Sequence, residues 1–348
     1  MRFIDLRSDT VTKPTDEMIE AIVKAHQEDK FGDDVIGDDE VVLELQEKAA
    51  QLLGKEAALL VTSGTQGNVV SLLAQANPGD EIVLEEMSHT YKFEAGAMAS
   101  LGGLYAKPLK GVRGYIPPES LQAAISPDDS HYARTAMVII ENTHSYAGGA
   151  VIKPEQVKAL SDVAHDNGLL VHCDGARIFN AAVALKMPAK KLVKDTDSVQ
   201  ICLSKGLSAP IGSIVAGTED FIYKAHRVRK KLGGGMRQAG IIAAPAIVAL
   251  ERMIERLAED HANAKLLYDG LSKIQGLEIE EPDTNIVFIG LDNFRIDVPK
   301  LAEELRKRGI LVFGAYGERT RFVTHRMITK DDILKTIDAV TEILQGFR

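Results

Sequence analysis

The chain has 348 residues, 45% of them apolar and 26% charged, and its 50 acidic against 41 basic side chains leave a formal charge of −9. That length suggests about two domains, each able to bury a core, while ordinary Gly and Pro contents (29 and 12) without any repeated tract exclude collagen-like and disordered classes. An acidic balance with no basic stripe interleaved with aromatics argues against nucleic acid as the main partner.

The opening residues, MRFIDLRSDTVTKPTDE, alternate charged and apolar side chains and contain no signal-peptide core. The longest apolar run, Ala239 to Leu250, is too short to span a bilayer. A cytoplasmic protein that does not engage membranes is therefore expected. The acidic stretch Gly32–Asp39 lacks the spacing and terminal Glu of a calcium loop, so it reads as a turn before a helix and no metal site is expected. Strand-like runs follow at Ala57–Val61, Glu81–Leu84, Met137–Glu141, Leu169–Cys173, Ser198–Leu203 and Ser213–Ala216, with helical patterns between them at Gly67–Gln75 and Glu155–Asp166. This alternation predicts an α/β fold around a largely parallel sheet. Cys173 and Cys202 sit inside apolar runs and read as small buried side chains rather than a redox pair. The basic run Lys224–Lys231 reads as a solvated helix face leading into Gly233-Gly234-Gly235-Met236-Arg237. A helical segment from about Gln238 to Ile274, punctuated by Pro245 and Gly270, is one bent helix or two. Beyond it come Ile286–Ile289, a helix at Lys300–Lys307, Ile310–Phe313, Arg321–Thr324 and a last helix at Lys330–Leu344. The expected division is a large α/β domain over residues 1–250 and a small C-terminal α+β domain over 251–348.

Ligands of parallel sheets bind outside the carboxyl ends of the strands, so the residues after each strand carry the chemistry. Ser63-Gly64-Thr65 opens a helix after the first strand and offers free N–H groups to a phosphate; alone, such a segment is more often a plain N-cap. Asp174 and Arg177 end one strand and Ser204-Lys205 the next. Separately, each has an ordinary alternative, an internal Asp174–Arg177 ion pair and a snorkelling surface lysine, beside a strand-end lysine whose amine partial desolvation would free. Taken together and in this order, a phosphate cradle, a strand-end Asp and a strand-end Lys meet the needs of pyridoxal 5′-phosphate (PLP): an amine for its aldehyde and a carboxylate for its ring nitrogen. His89, after the Glu81–Leu84 strand, is placed to stack on the ring, or else is an ordinary solvated or capping histidine. Competing motifs are missing: no dinucleotide or P-loop glycine signature, no H-E-x-x-H and no G-x-S-x-G.

Asp5-Leu-Arg-Ser-Asp-Thr-Val-Thr12, Gly32-Asp-Asp-Val35, Ser63-Gly-Thr65, Ser88-His89, Glu141-Asn-Thr-His144, His172-Cys-Asp-Gly-Ala-Arg-Ile-Phe-Asn180, Cys202-Leu-Ser-Lys-Gly206 and Leu232-Gly-Gly-Gly-Met-Arg-Gln-Ala-Gly240 occur in that order. In these stretches the chain resembles the L-threonine and L-allo-threonine aldolases of PLP fold type I, from Asp5 almost to its end. The resemblance implies an aspartate-aminotransferase-like fold and retro-aldol cleavage of β-hydroxy-α-amino acids to glycine and acetaldehyde. It also implies a homotetramer whose sites are shared across a dimer interface. By the same resemblance Lys205 is the Schiff-base lysine, Asp174 the partner of the ring nitrogen and His89 the stacking histidine. Ser63, Gly64, Thr65 and Ser204 cradle the phosphate, reached by Arg237 from a neighbouring subunit, while Ser8, Arg177 and Arg321 hold the substrate carboxylate. His131 is a second histidine near the substrate hydroxyl; the hydroxyl base is His89, His131 or a water that they orient. The chain departs from the family pattern at Ile36, at Phe93 and at Ser145-Tyr146-Ala147, positions expected to bear on the preferred aldehyde. The readings weighed against this one are another fold-type-I enzyme, such as a β-eliminating lyase, and a non-catalytic small-molecule binder.

Overall fold

The computed structural model describes residues 2–316 and 318–347. Its strands are β1 (Ile4–Asp5), β2 (Ala57–Val61), β3 (Glu81–Glu85), β4 (Tyr105–Leu109), β5 (Thr135–Glu141), β6 (Leu170–Asp174), β7 (Ser198–Cys202), β8 (Ser213–Gly217), β9 (Glu278–Ile279), β10 (Ile286–Gly290), β11 (Ile310–Leu311), β12 (Phe313–Tyr316) and β13 (Arg319–Val323). Seven of them form the central sheet in the order β2-β8-β7-β6-β5-β3-β4. β8 runs antiparallel to both its neighbours, and the other pairings are parallel. Strands β5, β7 and β8 are buried along their whole length, which is why β5 reads as a continuous apolar run from Ala136 to Ile140, whereas β7 carries Ser198 and Gln200 into the interior. β4 escaped the sequence reading because it lies at the sheet edge, half exposed, with Pro108 tolerated there.

Helices cover the sheet. Met18, Leu45 and Leu53 from the helices Asp16–Gln27 and Glu40–Leu53, with Ala243 and Leu250 from Gly240–Arg252, share one apolar core with Leu60, Ile201 and Ile214 of the strands. The segment read as one or two helices is two, Gly240–Arg252 and Leu257–Leu271. Pro245 and Gly270 lie inside them, so the break falls at residues 253–256 instead. The basic run also departs from its reading at one position. Within Glu219–Lys231, Arg229 is fully buried, paired with Asp34 at 3.0 Å and donating to the Leu60 carbonyl.

A second, smaller sheet has the antiparallel order β12-β13-β10-β9. Leu267, Leu305, Ile333 and Val340 of three helices pack with Phe322 to form its core. The N-terminus joins this unit: β1 pairs with β11, and Val323 N–H donates to the Leu6 carbonyl. That tie carries Ser8 and Asp9 to the seam between the two sheets, beside Arg321 of β13. Cys173 and Cys202 are free and buried.

Candidate active site

The helix Gly64–Gln75 begins at the carboxyl end of β2 with Ser63 as its N-cap, the hydroxyl accepting from Gln66 N–H at 3.2 Å. Ser63 therefore does serve as the plain cap, and it also turns the first-turn N–H groups of Gly64 and Thr65, which precede the first intrahelical bond, toward the sheet edge. A Cβ on Gly64 would lie 2.8 Å from Cys202 Sγ, so only glycine lets the helix start this close to β7. The glycine-rich loop seats against the same turn: a Cβ on Gly234 would meet Gln66 Nε2 at 2.3 Å. Together these form a concave run of backbone donors at a helix N-terminus, suited to a phosphate.

Asp174 is the last residue of β6 and is buried. Its Oδ2 accepts from Asn68 Nδ2 at 2.9 Å and from Thr90 Oγ1 at 3.3 Å, and its Oδ1 from Ala176 N–H at 3.2 Å. Burial pushes its pKa upward, but the charges of His89 and Lys205 and the Asn68 bond outweigh that, so the carboxyl ends below its ordinary range. An ionised acid at the end of a central parallel strand is thus set to hold a proton on a ligand atom. Lys205 follows β7 in a half-buried turn whose carbonyl accepts from Thr12 Oγ1 at 2.8 Å and from Ser208 N–H at 2.9 Å. Its ammonium acts electrostatically on Asp174, His89 and Asp9, so the amine is within electrostatic reach of all three. Ser204 is half buried beside it.

His89 opens a short helix after β3. Its backbone N–H donates to Glu141 Oε2 at 2.6 Å, and its Nδ1 lies 3.1 Å from Glu94 Oε1. Burial would lower the imidazole pKa, yet the Glu94 bond and the Asp174 charge raise it overall. With Nδ1 engaged, Nε2 is the atom left to exchange a proton. Phe93 lies 5.7 Å from the His89 ring and stacks on Tyr146 at 6.5 Å, and Tyr146 in turn lies 6.4 Å from Phe288. Two of the positions that depart from the family pattern, Phe93 and Tyr146, thus form an aromatic row running outward from His89. The third, Ile36, stands exposed in the turn of the acidic stretch.

At the seam between the sheets, Arg177 forms a bidentate pair with Asp9 (both contacts 2.7 Å), both side chains buried. The reading of Arg177 as a partner of Asp174 is corrected: its fork is taken by an aspartate from the N-terminal segment. Burial would neutralise Asp9, but Arg177, Lys205 and Arg321 keep it well below the usual carboxylate range. Ser8 is buried next to it, and Arg321 donates to the Arg7 carbonyl at 3.2 Å. Ser8 adjoins Asp9 in the chain and the charges of Arg177 and Arg321 both act on the Asp9 carboxylate, so this corner gathers two guanidiniums around one acid of the chain's own.

Two predicted residues are not gathered here within one chain. Arg237 is 66% exposed and pairs with Asp33 at 2.8 Å. His131 is 85% exposed and bound to Asp129, on the loop entering β5, whereas Glu141 ends that strand. A seven-residue strand separates those two ends by roughly 20 Å. The sequence reading missed Asp9, Asn68, Glu94, Glu141 and His172. For His172 a signal existed: it stands two residues before Asp174 on β6 and so shares its face.

The fold is that of known PLP enzymes. A threonine aldolase structure from Leishmania major superposes with a TM-score of 0.84 over 98% of this chain and 99% of that one at 17% identity. A Thermus thermophilus aspartate aminotransferase does so at 0.76 over 98% and 96%, at 18% identity. Residues 5–293 match the model of the beta-eliminating lyase family. The chain is 41% identical to low-specificity L-threonine aldolase 1 of Arabidopsis thaliana, across 99% of this chain and 97% of that protein, and 41% identical to the low specificity L-threonine aldolase of Escherichia coli K12, across 95% and 96%. The chain belongs to the beta-eliminating lyase family, among relatives of the low-specificity L-threonine aldolase type.

Proposed function

We propose that this protein is a PLP-dependent aldehyde-lyase that cleaves L-threonine and L-allo-threonine to glycine and acetaldehyde. One observation carries the reading: an ionised buried Asp174, the Lys205 ammonium and the His89 imidazole act on one another at the carboxyl edge of the sheet, next to an open helix N-terminus. Those groups fit PLP. Lys205 Nζ would carry its aldehyde carbon, Asp174 would hold the proton on its ring nitrogen, His89 would lie on the ring, and Ser63, Gly64, Thr65 and Ser204 would receive its phosphate. When bound, PLP supplies an electron sink for the carbon whose bond is broken.

The chain's own residues decide which bond that is. Ser8, Arg177 and Arg321 hold the substrate carboxylate, Arg177 through the Nη1 that its Asp9 pair does not use, and a held carboxylate fixes the rotation about the substrate's Cα–N bond. His89 Nε2 then takes the proton from the β-hydroxyl, its Nδ1 steadied by Glu94. Loss of that proton and the Cα–Cβ electron pair moving toward Cα release the aldehyde, and return of a proton to Cα gives glycine. Arg237 and His131 point outward, and this supports an assembly in which a second copy brings them, Arg237 toward the phosphate and His131 toward the substrate hydroxyl; a homotetramer of two such dimers is the form proposed. Two free buried cysteines suit a reducing compartment, and no helix among the described residues is long and apolar enough to cross a membrane, which together favour the cytoplasm.

The test is the Lys205→Ala variant. Native protein loaded with PLP shows the visible absorbance of a lysine-linked cofactor and releases acetaldehyde from threonine, and the variant loses both. Retention of the band in the variant refutes the assignment of Lys205. The β-eliminating alternative, which the family's description keeps in view, predicts ammonia without acetaldehyde.

A further inference from the structure

Behind Asp174 the structure continues inward through four uncharged side chains. Asn68 Nδ2 lies 2.8 Å from Glu94 Oε1 and 2.9 Å from Asp174 Oδ2. Two carboxyl acceptors fix which end of the amide this is: both its N–H bonds point at acids, and its Oδ1 faces the other way. That oxygen lies 3.2 Å from His172 Nε2, so the imidazole must carry its hydrogen there. His172 is wholly enclosed, and burial pushes its pKa down to about 4, so it is neutral and Nδ1 has a lone pair. Nδ1 lies 2.8 Å from Ser198 Oγ, which must spend its only hydrogen on it. Ser198 Oγ in turn accepts from Gln75 Nε2 at 2.8 Å, whose other N–H goes to the Ser71 carbonyl at 2.9 Å.

Every bond in this row therefore runs in one direction: Gln75 to Ser198, Ser198 to His172, His172 to Asn68, Asn68 to Asp174 and Glu94. The sheet register builds it, since His172 pairs directly with Ser198 across β6 and β7 and shares its face with Asp174. Chains of hydrogen bonds aligned in this way strengthen one another in a low-dielectric interior. They end on two buried acids whose ligand atoms lie within 4.8 Å of each other and of His89. Burial and the neighbouring Asp174 charge raise Glu94, while Asp174 itself stays low. Two acids this close cannot share charge equally without donors to divide it.

We infer that Gln75, Ser198, His172 and Asn68 form a one-way donor relay that keeps the Asp174 carboxylate charged and aimed at the ring nitrogen of the cofactor, which makes His172 a positioning residue for the reaction. This rests on the PLP reading given above. A fully buried histidine in a strand would otherwise serve packing alone, and a phenylalanine would fill the space. The relay instead requires one tautomer of His172 and one orientation of Asn68, and it reaches the cofactor only through Asp174.

The test uses the full chain loaded with PLP or with an analogue in which the ring nitrogen is replaced by carbon. Dissociation constants for both are measured in native protein, His172→Phe, His172→Gln and Ser198→Ala, with thermal unfolding alongside. Native protein prefers PLP over the analogue because only PLP can be held through its ring nitrogen. His172→Phe shrinks that preference roughly ten-fold, the size of one charge-assisted hydrogen bond, while binding of the analogue changes less than about two-fold. His172→Gln, whose amide N–H reaches toward Asn68, restores most of the preference. Ser198→Ala, a mild change that provides the reading should His172→Phe fail to fold, lowers it by about three-fold. Equal weakening of both ligands, or an unchanged preference in Ser198→Ala and His172→Phe alike, overturns the relay. Native protein that takes up no PLP overturns the cofactor reading itself, and the relay's purpose with it.

Discussion

At the carboxyl end of β6, Asp174 is enclosed by Asn68, Thr90 and the Ala176 N–H, and the polar groups behind it are bonded back to Gln75. On the outside of the molecule, Arg237 is held by Asp33, 204 residues earlier, and His131 by Asp129, two residues earlier, and both are otherwise exposed. The inner region is built within one chain, from buried polar groups bonded to one another. The outer region is made of groups whose partners are exchangeable, since exposed ion pairs contribute little. The difference teaches that, on the proposed reading, one chain can fix the cofactor's ring by itself, whereas Arg237 and His131 would need a second copy to bring them to a site.

The largest effect should come from breaking the inner region. Asp9→Ala leaves Arg177 charged and buried without its partner, which costs about 3–5 kcal/mol in thermal or urea unfolding. A loss below about 1 kcal/mol would mean that the pair is solvated and the corner less closed than described. Next is the pH dependence of folding. The folded pKa of His172 lies below its ordinary value, at about 4 against 6.5, so the unfolded chain binds the extra proton between those values. Stability is therefore full above pH 6.5 and falls as pH drops toward 4, by roughly 3 kcal/mol from this residue. His172→Gln should remove that part of the slope, and an unchanged slope would place the acid sensitivity elsewhere.

The outer region gives the opposite pattern. Arg237→Ala and His131→Ala should change stability by less than about 0.5 kcal/mol, as exposed substitutions do. Arg237→Ala should still weaken PLP retention by roughly ten-fold, one charge-assisted contact. Mixed with Lys205→Ala after dissociation and reassembly, it should recover part of the activity, because a hybrid dimer contains one site with both groups. No recovery in mixed assemblies would make the site self-contained. The smallest effect is on the pH profile. If His89 is the neutral base, as proposed, its raised pKa makes activity fall as pH drops through that raised value. Glu94→Gln replaces the carboxylate acceptor that raises it by a neutral amide, and the acid limb of kcat/KM should move down by roughly one pH unit.

Much of this was legible in the chain. Buried parallel strands announce themselves as unbroken apolar runs, and the chemistry of such sheets sits just after them, which is how Ser63, Asp174 and Lys205 could be singled out. Hydrophobic patterning could not reveal β4, an exposed edge strand, or Arg229, whose burial depends on Asp34 from a segment 195 residues earlier. Asp9 was hidden for the same reason: its meaning comes from Arg177, 168 residues on, after the N-terminus has paired with β11. His172 and Ser198 lay within strands already recognised, but an alternating face becomes a relay only once the register pairs them. His131 shows the converse, since its place by the substrate was implied by resemblance and is not made by the fold of one chain.

The central claim, cleavage of the Cα–Cβ bond by the Lys205 site, is tested most directly by product stoichiometry. PLP-loaded protein is incubated with L-threonine and with L-allo-threonine, and glycine, acetaldehyde and ammonia are measured together. Glycine and acetaldehyde in equal amounts, without ammonia and lost in Lys205→Ala, is the predicted result; ammonia released without acetaldehyde would contradict it.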